Sequence, residues 1–126
     1  MSFCWELYID LAERLRDNKE SGLIEQAYLR SAISRSYYGV FCRARNFVLS
    51  KGHKKPRKMP VHQFVRENLV NSDNQREIEI GNYLFRLWGK RVDADYKENK
   101  SFTLGDVSLC IISARSASEN LRRKGF

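Results

Sequence analysis

The chain has little that would interrupt a helix. Only two prolines and seven glycines occur in 126 residues, and both prolines, Pro56 and Pro60, fall in one short stretch. That scarcity argues against a turn-rich β architecture and favours long helices. There are three cysteines, Cys4, Cys42 and Cys110, odd in number and far apart, with no CxxC pair that would mark a zinc site. Each falls in an apolar helical pattern, which predicts three small hydrophobes in a core rather than reactive thiols. Free thiols suit a reducing cytosol. The stretch Met1 to Glu6 has no basic region followed by an apolar run, so a cytoplasmic protein without a signal peptide is expected. No apolar run approaches the roughly 18 residues needed to span a bilayer, and no membrane partner is expected.

Common catalytic arrangements are missing as well. Neither His53 nor His62 stands in a HExxH pattern, and no GxGxxG or GxxxxGK[ST] loop occurs. The serines lie in helical stretches rather than on a strand-to-helix elbow. Zinc hydrolases, phosphate-loop proteins and serine hydrolases therefore find no support, and no metal or cofactor is expected.

What the chain does have is positive charge. A net charge of +8 on so few residues creates a field that attracts polyanions, nucleic acid chief among them. Apolar residues at 42% with charged residues at 30% suffice for one core under a solvated surface, so residues 1–126 are read as a single domain.

Periodicity then divides the chain. Phe3 to Asp17 places Leu7, Leu11 and Leu15 four apart with Ala12 beside them, an amphipathic helix. Leu23 to about Ser50 is the longest segment, with Leu29, Ile33, Tyr37, Val40, Phe41, Ala44 and Val48 at helical spacing. Gly39 inside it marks close packing rather than a break, and Lys51-Gly52 ends it. The basic loop, residues 51–60, carries Lys51, Lys54, Lys55, Arg57 and Lys58 and is predicted to be exposed and mobile. Val61 to Leu69 forms a short helix with Val61, Phe64, Val65 and Leu69 inward. After a polar turn, Ser72 or Asp73 is the expected cap of a helix bearing Ile78, Ile80, Tyr83, Leu84, Leu87 and Trp88. That helix is expected to end near Gly89, leaving Arg91 to Ser101 as a polar loop. Thr103-Leu104-Gly105-Asp106 has the form of a capping box, opening a last helix with Val107, Cys110, Ile111, Ala114, Ala117 and Leu121 on one face. The fold class is all-α, a bundle of about five helices in an up-and-down arrangement.

Two clusters carry chemistry. On the long helix, Ile33, Tyr37 and Phe41 are four apart and face the core, while Arg35 and Tyr38, three apart, share a neighbouring face. For Arg35 the plainer reading is a solvated charge or an interhelical ion pair, and the functional one is a phosphate contact. At the other cluster, Arg91, Asp93, Asp95 and Tyr96 bring a cation, two carboxylates and a phenol together; an Arg91–Asp95 ion pair in an ordinary loop is the plainer alternative.

Taken together these clusters carry a resemblance. Ala27 to Phe47, with Arg30-x-Ala32-Ile33-Ser34-Arg35-x-Tyr37-Tyr38-x-Val40-Phe41, resembles the signature helix of HEPN domains, helical bundles named for higher eukaryotes and prokaryotes nucleotide-binding. His62 at the start of the next helix, Arg91-x-x-Ala94-Asp95-Tyr96 and the capped final helix agree, so the resemblance spans Leu7 to Leu121. It implies a homodimer and binding of RNA or a nucleotide. It also implies a toxin–antitoxin or defence setting in which the partner is a nucleotidyltransferase antitoxin. Many members of that family are metal-independent ribonucleases, using an arginine followed after four to six residues by a histidine near a dimer groove. Here Arg91 is followed by Asp93, Asp95 and Tyr96 and no histidine, and the formal match of Arg57 to His62 lies in the basic loop.

Three functions stay open. In the first the domain binds RNA or nucleotide, with Arg35, Arg91, Lys54, Lys55, Arg57 and Lys58 on phosphate and Tyr38 and Tyr96 on bases. In the second it is an endoribonuclease using Arg91 with Asp95, Tyr96 or His62, the histidine being the group whose ordinary pKa suits moving a 2′-hydroxyl proton. In the third it is a non-catalytic module that docks the nucleotidyltransferase partner.

Overall fold

A computed structural model describes residues 2–126. Five helices follow one another, α1 (Leu7–Arg16), α2 (Leu23–Ser50), α3 (Val61–Val70), α4 (Gln75–Tyr96) and α5 (Leu104–Arg123), and no strand occurs among the described residues. The chain is an all-α bundle around one core. Helix α2 is its axle, packing on all four other helices, most heavily on α1, α4 and α5. Its buried positions accordingly spread over more than one face, from Leu29, Ile33 and Tyr37 to Ala44 and Val48. No described helix is long and apolar enough to cross a membrane.

Two glycines set how closely the helices cross. A Cβ on Gly39 of α2 would lie 2.6 Å from Cγ1 of Ile9 and 3.1 Å from its backbone nitrogen, so α1 rests directly on the α2 backbone. A Cβ on Gly81 of α4 would meet Val70 Cγ1 at 2.7 Å and the Val70 backbone nitrogen at 2.9 Å, closing α3 onto α4. Gly39 therefore does mark close packing.

Helix ends follow the local chemistry. Thr103 and Asp106 form the reciprocal capping box, with Thr103 N–H donating to Asp106 Oδ2 at 2.9 Å and Asp106 N–H to Thr103 Oγ1 at 3.2 Å. At α4 the cap is Asn74, which accepts from Glu77 N–H at 3.2 Å, not Ser72 or Asp73. Ser72 instead accepts from Asn74 N–H at 3.1 Å and donates to the Glu77 carboxylate at 3.0 Å. Glu77 itself is 3% exposed. It receives Lys51 from the end of α2 at 2.6 Å and Lys124 from the end of α5 at 3.1 Å, tying three helix termini together.

Three further sequence expectations are corrected. Helix α1 starts at Leu7, and its deeply buried residues are Ile9 and Ala12, while Leu7 is 50% exposed and Leu11 also lies largely in solvent. The contact on Gly39 selects Ile9, and of the leucine stripe only Leu15 packs partly against the core. Cys4 is exposed, unlike Cys42 and Cys110, because it precedes α1. Most consequential for function, α4 runs through Gly89 to Tyr96, so Arg91, Asp95 and Tyr96 belong to a helix and not to a loop. A mid-helix glycine costs only about 1 kcal/mol, and the burial of Ala94 with the Arg30 bonds to the Ala94 and Lys97 carbonyls outweighs it.

Candidate functional site

The end of α4 is held by the first half of α2. Arg30 Nη1 donates to the Ala94 carbonyl at 2.9 Å and Nη2 to the Lys97 carbonyl at 2.9 Å, and Nη2 also reaches the Lys100 carbonyl. A cation at a helix C-terminus satisfies carbonyls that lack an intrahelical partner and complements the negative end of the dipole. One turn earlier, Gln26 donates to the Phe102 carbonyl at 2.7 Å and accepts from Phe102 N–H at 3.0 Å. These contacts fix the last turn of α4 and with it Asp95 and Tyr96.

Arg91 is the centre of the site. It is 7% exposed, and its guanidinium carbon lies 5.4 Å from the ring centre of Tyr38 and 5.8 Å from those of Tyr37 and Tyr96. Its carboxylate partner is Asp95, one helical turn on, at 3.4 Å from Nη1, a long contact. The same Asp95 oxygen accepts from Ser34 at 3.2 Å. Nε of Arg91 is buried without a hydrogen-bond partner, the one such side-chain atom among the described residues. A buried guanidinium carries five donors, and leaving them unmet costs on the order of 1–3 kcal/mol per charged group or more. The surrounding rings return part of that through their negative faces.

His62 joins this cluster from the first turn of α3. Its Nδ1 lies 2.6 Å from the Tyr37 hydroxyl, and its ring stacks on Phe41 with centres 4.4 Å apart. Tyr37 thus stands between His62 and Arg91. Burial pushes the Tyr37 phenol far above its usual range, against the opposing pull of Arg91, so the phenol stays protonated. Burial also lowers the His62 pKa below its ordinary value, and the charges of Arg91 and Arg66 lower it further. A neutral imidazole beside a protonated phenol has two arrangements. If Tyr37 donates to Nδ1, His62 offers an Nε2–H donor; if Nδ1–H donates to Tyr37, Nε2 is left as an acceptor.

The structure therefore brings Arg91, Asp95, Tyr96, Tyr38 and His62 to one place. Arg35 adjoins it, with its guanidinium 5.4 Å from the Tyr38 ring and 4.8 Å from that of Tyr8. Lys54, Lys55, Arg57 and Lys58 stand apart in the exposed loop that leads into α3. None of them shares a hydrogen bond or ion pair with the cluster, and Lys55 folds back on the carbonyls of Pro56 and Met59 at 3.1 and 2.9 Å. Sequence reasoning placed Tyr37 in the core, which is true of its ring, but missed the hydroxyl's role beside His62. It also missed Ser34 and Arg30. The signal for these was present: Arg30, Ser34, Tyr38 recur at four-residue spacing and line one face of α2.

No group of three or more histidine, cysteine or carboxylate side chains is placed to hold a metal among the described residues. What the cluster offers chemically is a partly satisfied cation, ring faces, and a histidine kept neutral. No family model, curated protein or solved structure matches this chain.

Proposed function

We propose that this chain is a HEPN-like domain that binds RNA or a nucleotide at Arg91, with the phosphate on the guanidinium and a base on Tyr96 or Tyr38. One observation carries the reading: a guanidinium in a ring of tyrosines, with one long carboxylate contact and a buried Nε left without a partner. An entering phosphate meets the Nη end, which Asp95 holds by one long contact only, through charge-assisted hydrogen bonds, while Nε stays enclosed. The net charge of +8 favours the same class of ligand over distance. The setting that the family resemblance implies is a cytoplasmic homodimer paired with a nucleotidyltransferase-type antitoxin.

The test is fluorescence anisotropy with labelled single-stranded RNA across a salt series. Phosphate contacts make the logarithm of affinity fall linearly with the logarithm of salt, and Arg91→Ala lowers affinity by about tenfold or more. Salt-independent binding, or an unchanged Arg91→Ala protein, removes the proposal.

A second reading, cleavage of RNA, is favoured by the position of His62. Arg91 and His62, 29 residues apart in sequence, flank the same tyrosine. In the arrangement where Nδ1–H donates to Tyr37, Nε2 of a neutral imidazole is available to take a 2′-hydroxyl proton. Total RNA incubated with the wild type, Arg91→Ala and His62→Ala proteins separates the two readings. Identical RNA patterns in all three eliminate cleavage and leave binding in place.

A further inference from the structure

The Arg91 cluster does not end at Tyr38. Arg35 also stands against that ring, at 5.4 Å, and beyond Arg35 comes Tyr8, 4.8 Å from its guanidinium. Tyr8 meets Trp5 edge-on at 5.6 Å. Trp5 in turn carries Phe3 at 4.9 Å and the Arg45 guanidinium at 5.9 Å. Rings and cations thus follow one another from the end of α4, across α2, to the segment before α1. Both ends of the series are open to solvent, with Tyr96 71% exposed and Phe3 48% exposed.

Charge along this strip is left uncompensated. Among the described residues, neither Arg35 nor Arg45 has a carboxylate within the 4.0 Å of an ion pair, and Arg91 has its single long one. The arginines at the α1–α5 seam differ: Arg43 and Arg122 pair with Glu6, and Arg115 with Asp10 and Glu13. Core packing accounts for Tyr38 and Trp5, which are half-buried against it, but explains neither the exposed Tyr96 and Phe3 nor the missing carboxylates. A flexible polyanion with flat bases matches both, because its phosphates neutralise cations and its bases stack on rings irrespective of sequence. A duplex does not, since its base faces are already stacked.

We propose that this strip is a track for a single-stranded RNA segment, which runs from Arg91 across Arg35 and Tyr8 to Trp5 and Phe3. The proposal rests on the reading of Arg91 as a phosphate site and extends it from one nucleotide to several, near the lower end of the roughly 4–16 nucleotides that single-strand modules cover.

The experiment measures anisotropy with labelled oligouridylates of increasing length, from a dinucleotide to a dodecamer, beside a duplex of the dodecamer's length. The track predicts affinity that climbs at least tenfold between the dinucleotide and an octamer and then levels, with Trp5 emission, read in a Trp88→Phe background, quenched as the longer strands bind. Arg45→Gln and Phe3→Ala each weaken octamer binding about fivefold or more, the effect of losing one stacking or phosphate contact, and leave the dinucleotide unaffected. Arg91→Ala weakens every length. If affinity is flat with length, if the duplex binds as tightly, or if Arg45→Gln and Phe3→Ala change nothing while Arg91→Ala still weakens binding, the track is overturned and the Arg91 site stands. If Arg91→Ala has no effect at any length, or no RNA binds, both fall.

Discussion

The Tyr37 hydroxyl and His62 Nδ1 are 2.6 Å apart, inside a stack that also holds Phe41. This bond is the polar end of an otherwise apolar tyrosine, and it orients the imidazole. Tyr37→Phe leaves the ring packing and removes the bond, so a loss of about 1–2 kcal/mol is expected, read from urea unfolding. A variant as stable as the wild type would show that water serves His62 equally well.

The depressed pKa of His62 fixes a direction with pH. The unfolded chain takes up the proton near pH 6.5, whereas the folded protein resists it. Stability is therefore fully present above about pH 6.5 and is lost as pH falls towards the folded pKa. His62→Gln flattens this segment of the curve. Proton NMR of the imidazole in a His53→Gln background locates the folded titration directly; a midpoint at or above the ordinary histidine value contradicts the expectation.

Glu77 has the opposite dependence. Burial raises its pKa, but hydrogen bonds from Lys51, Lys124 and Ser72 outweigh this and hold it below the usual glutamate value. Its contribution is present above about pH 4.5 and disappears as pH falls through the folded pKa. Glu77→Gln is expected to cost about 1–3 kcal/mol, less than a sealed ion pair, because Lys51 and Lys124 both reach solvent. Thermal melts at neutral pH and near pH 4 measure both effects, and the difference between variant and wild type should shrink at the lower pH.

Two glycine substitutions should act in opposite directions. Gly39→Ala forces a methyl into Ile9 and the α1 backbone and costs about 1–3 kcal/mol. Gly89 is helical and has nothing within 4 Å of an added Cβ, so Gly89→Ala gains about 0.5–1 kcal/mol from helix propensity. Chemical unfolding of the pair tests the helical course of α4 through Gly89, since a gain there requires that residue to be helical.

Thiol reactivity should divide one against two. Cys4 is exposed and Cys42 and Cys110 are buried; burial raises the Cys42 pKa and pushes Cys110 up to about 11. The thiolate is the reacting form, so one thiol labels rapidly in the native protein and the other two only on unfolding. Rapid labelling of all three would contradict the burial of α2 and α5.

Some of this was legible in the residues and some was not. The span of α2 and the Thr103–Asp106 capping box follow from local rules, because periodicity and caps act within one turn. The extent of α4 does not, since Gly89 is a local signal overridden by the burial of Ala94 and by the bonds Arg30 makes to the last turn. The inward face of α1 is legible only in part: Ala12 and Leu15 do face the core, but Ile9 and not Leu7 or Leu11 meets the notch at Gly39. Within the site, Arg35 beside Tyr38 is a three-residue spacing visible in the sequence. The approach of His62 to Arg91 depends on how α3 and α4 lie against α2, and no spacing encodes it.

The grip of Arg30 and Gln26 on residues 94–102 has a consequence for anything that meets Arg91. Helix ends ordinarily fray, and a ligand that needs one in a fixed shape must supply the ordering when it binds. Here a residue 64 positions upstream of Ala94 has settled that shape during folding. Tyr96 and Asp95 are presented as a finished surface, and a defect at Arg30 would read in a binding assay as a defect of the site itself.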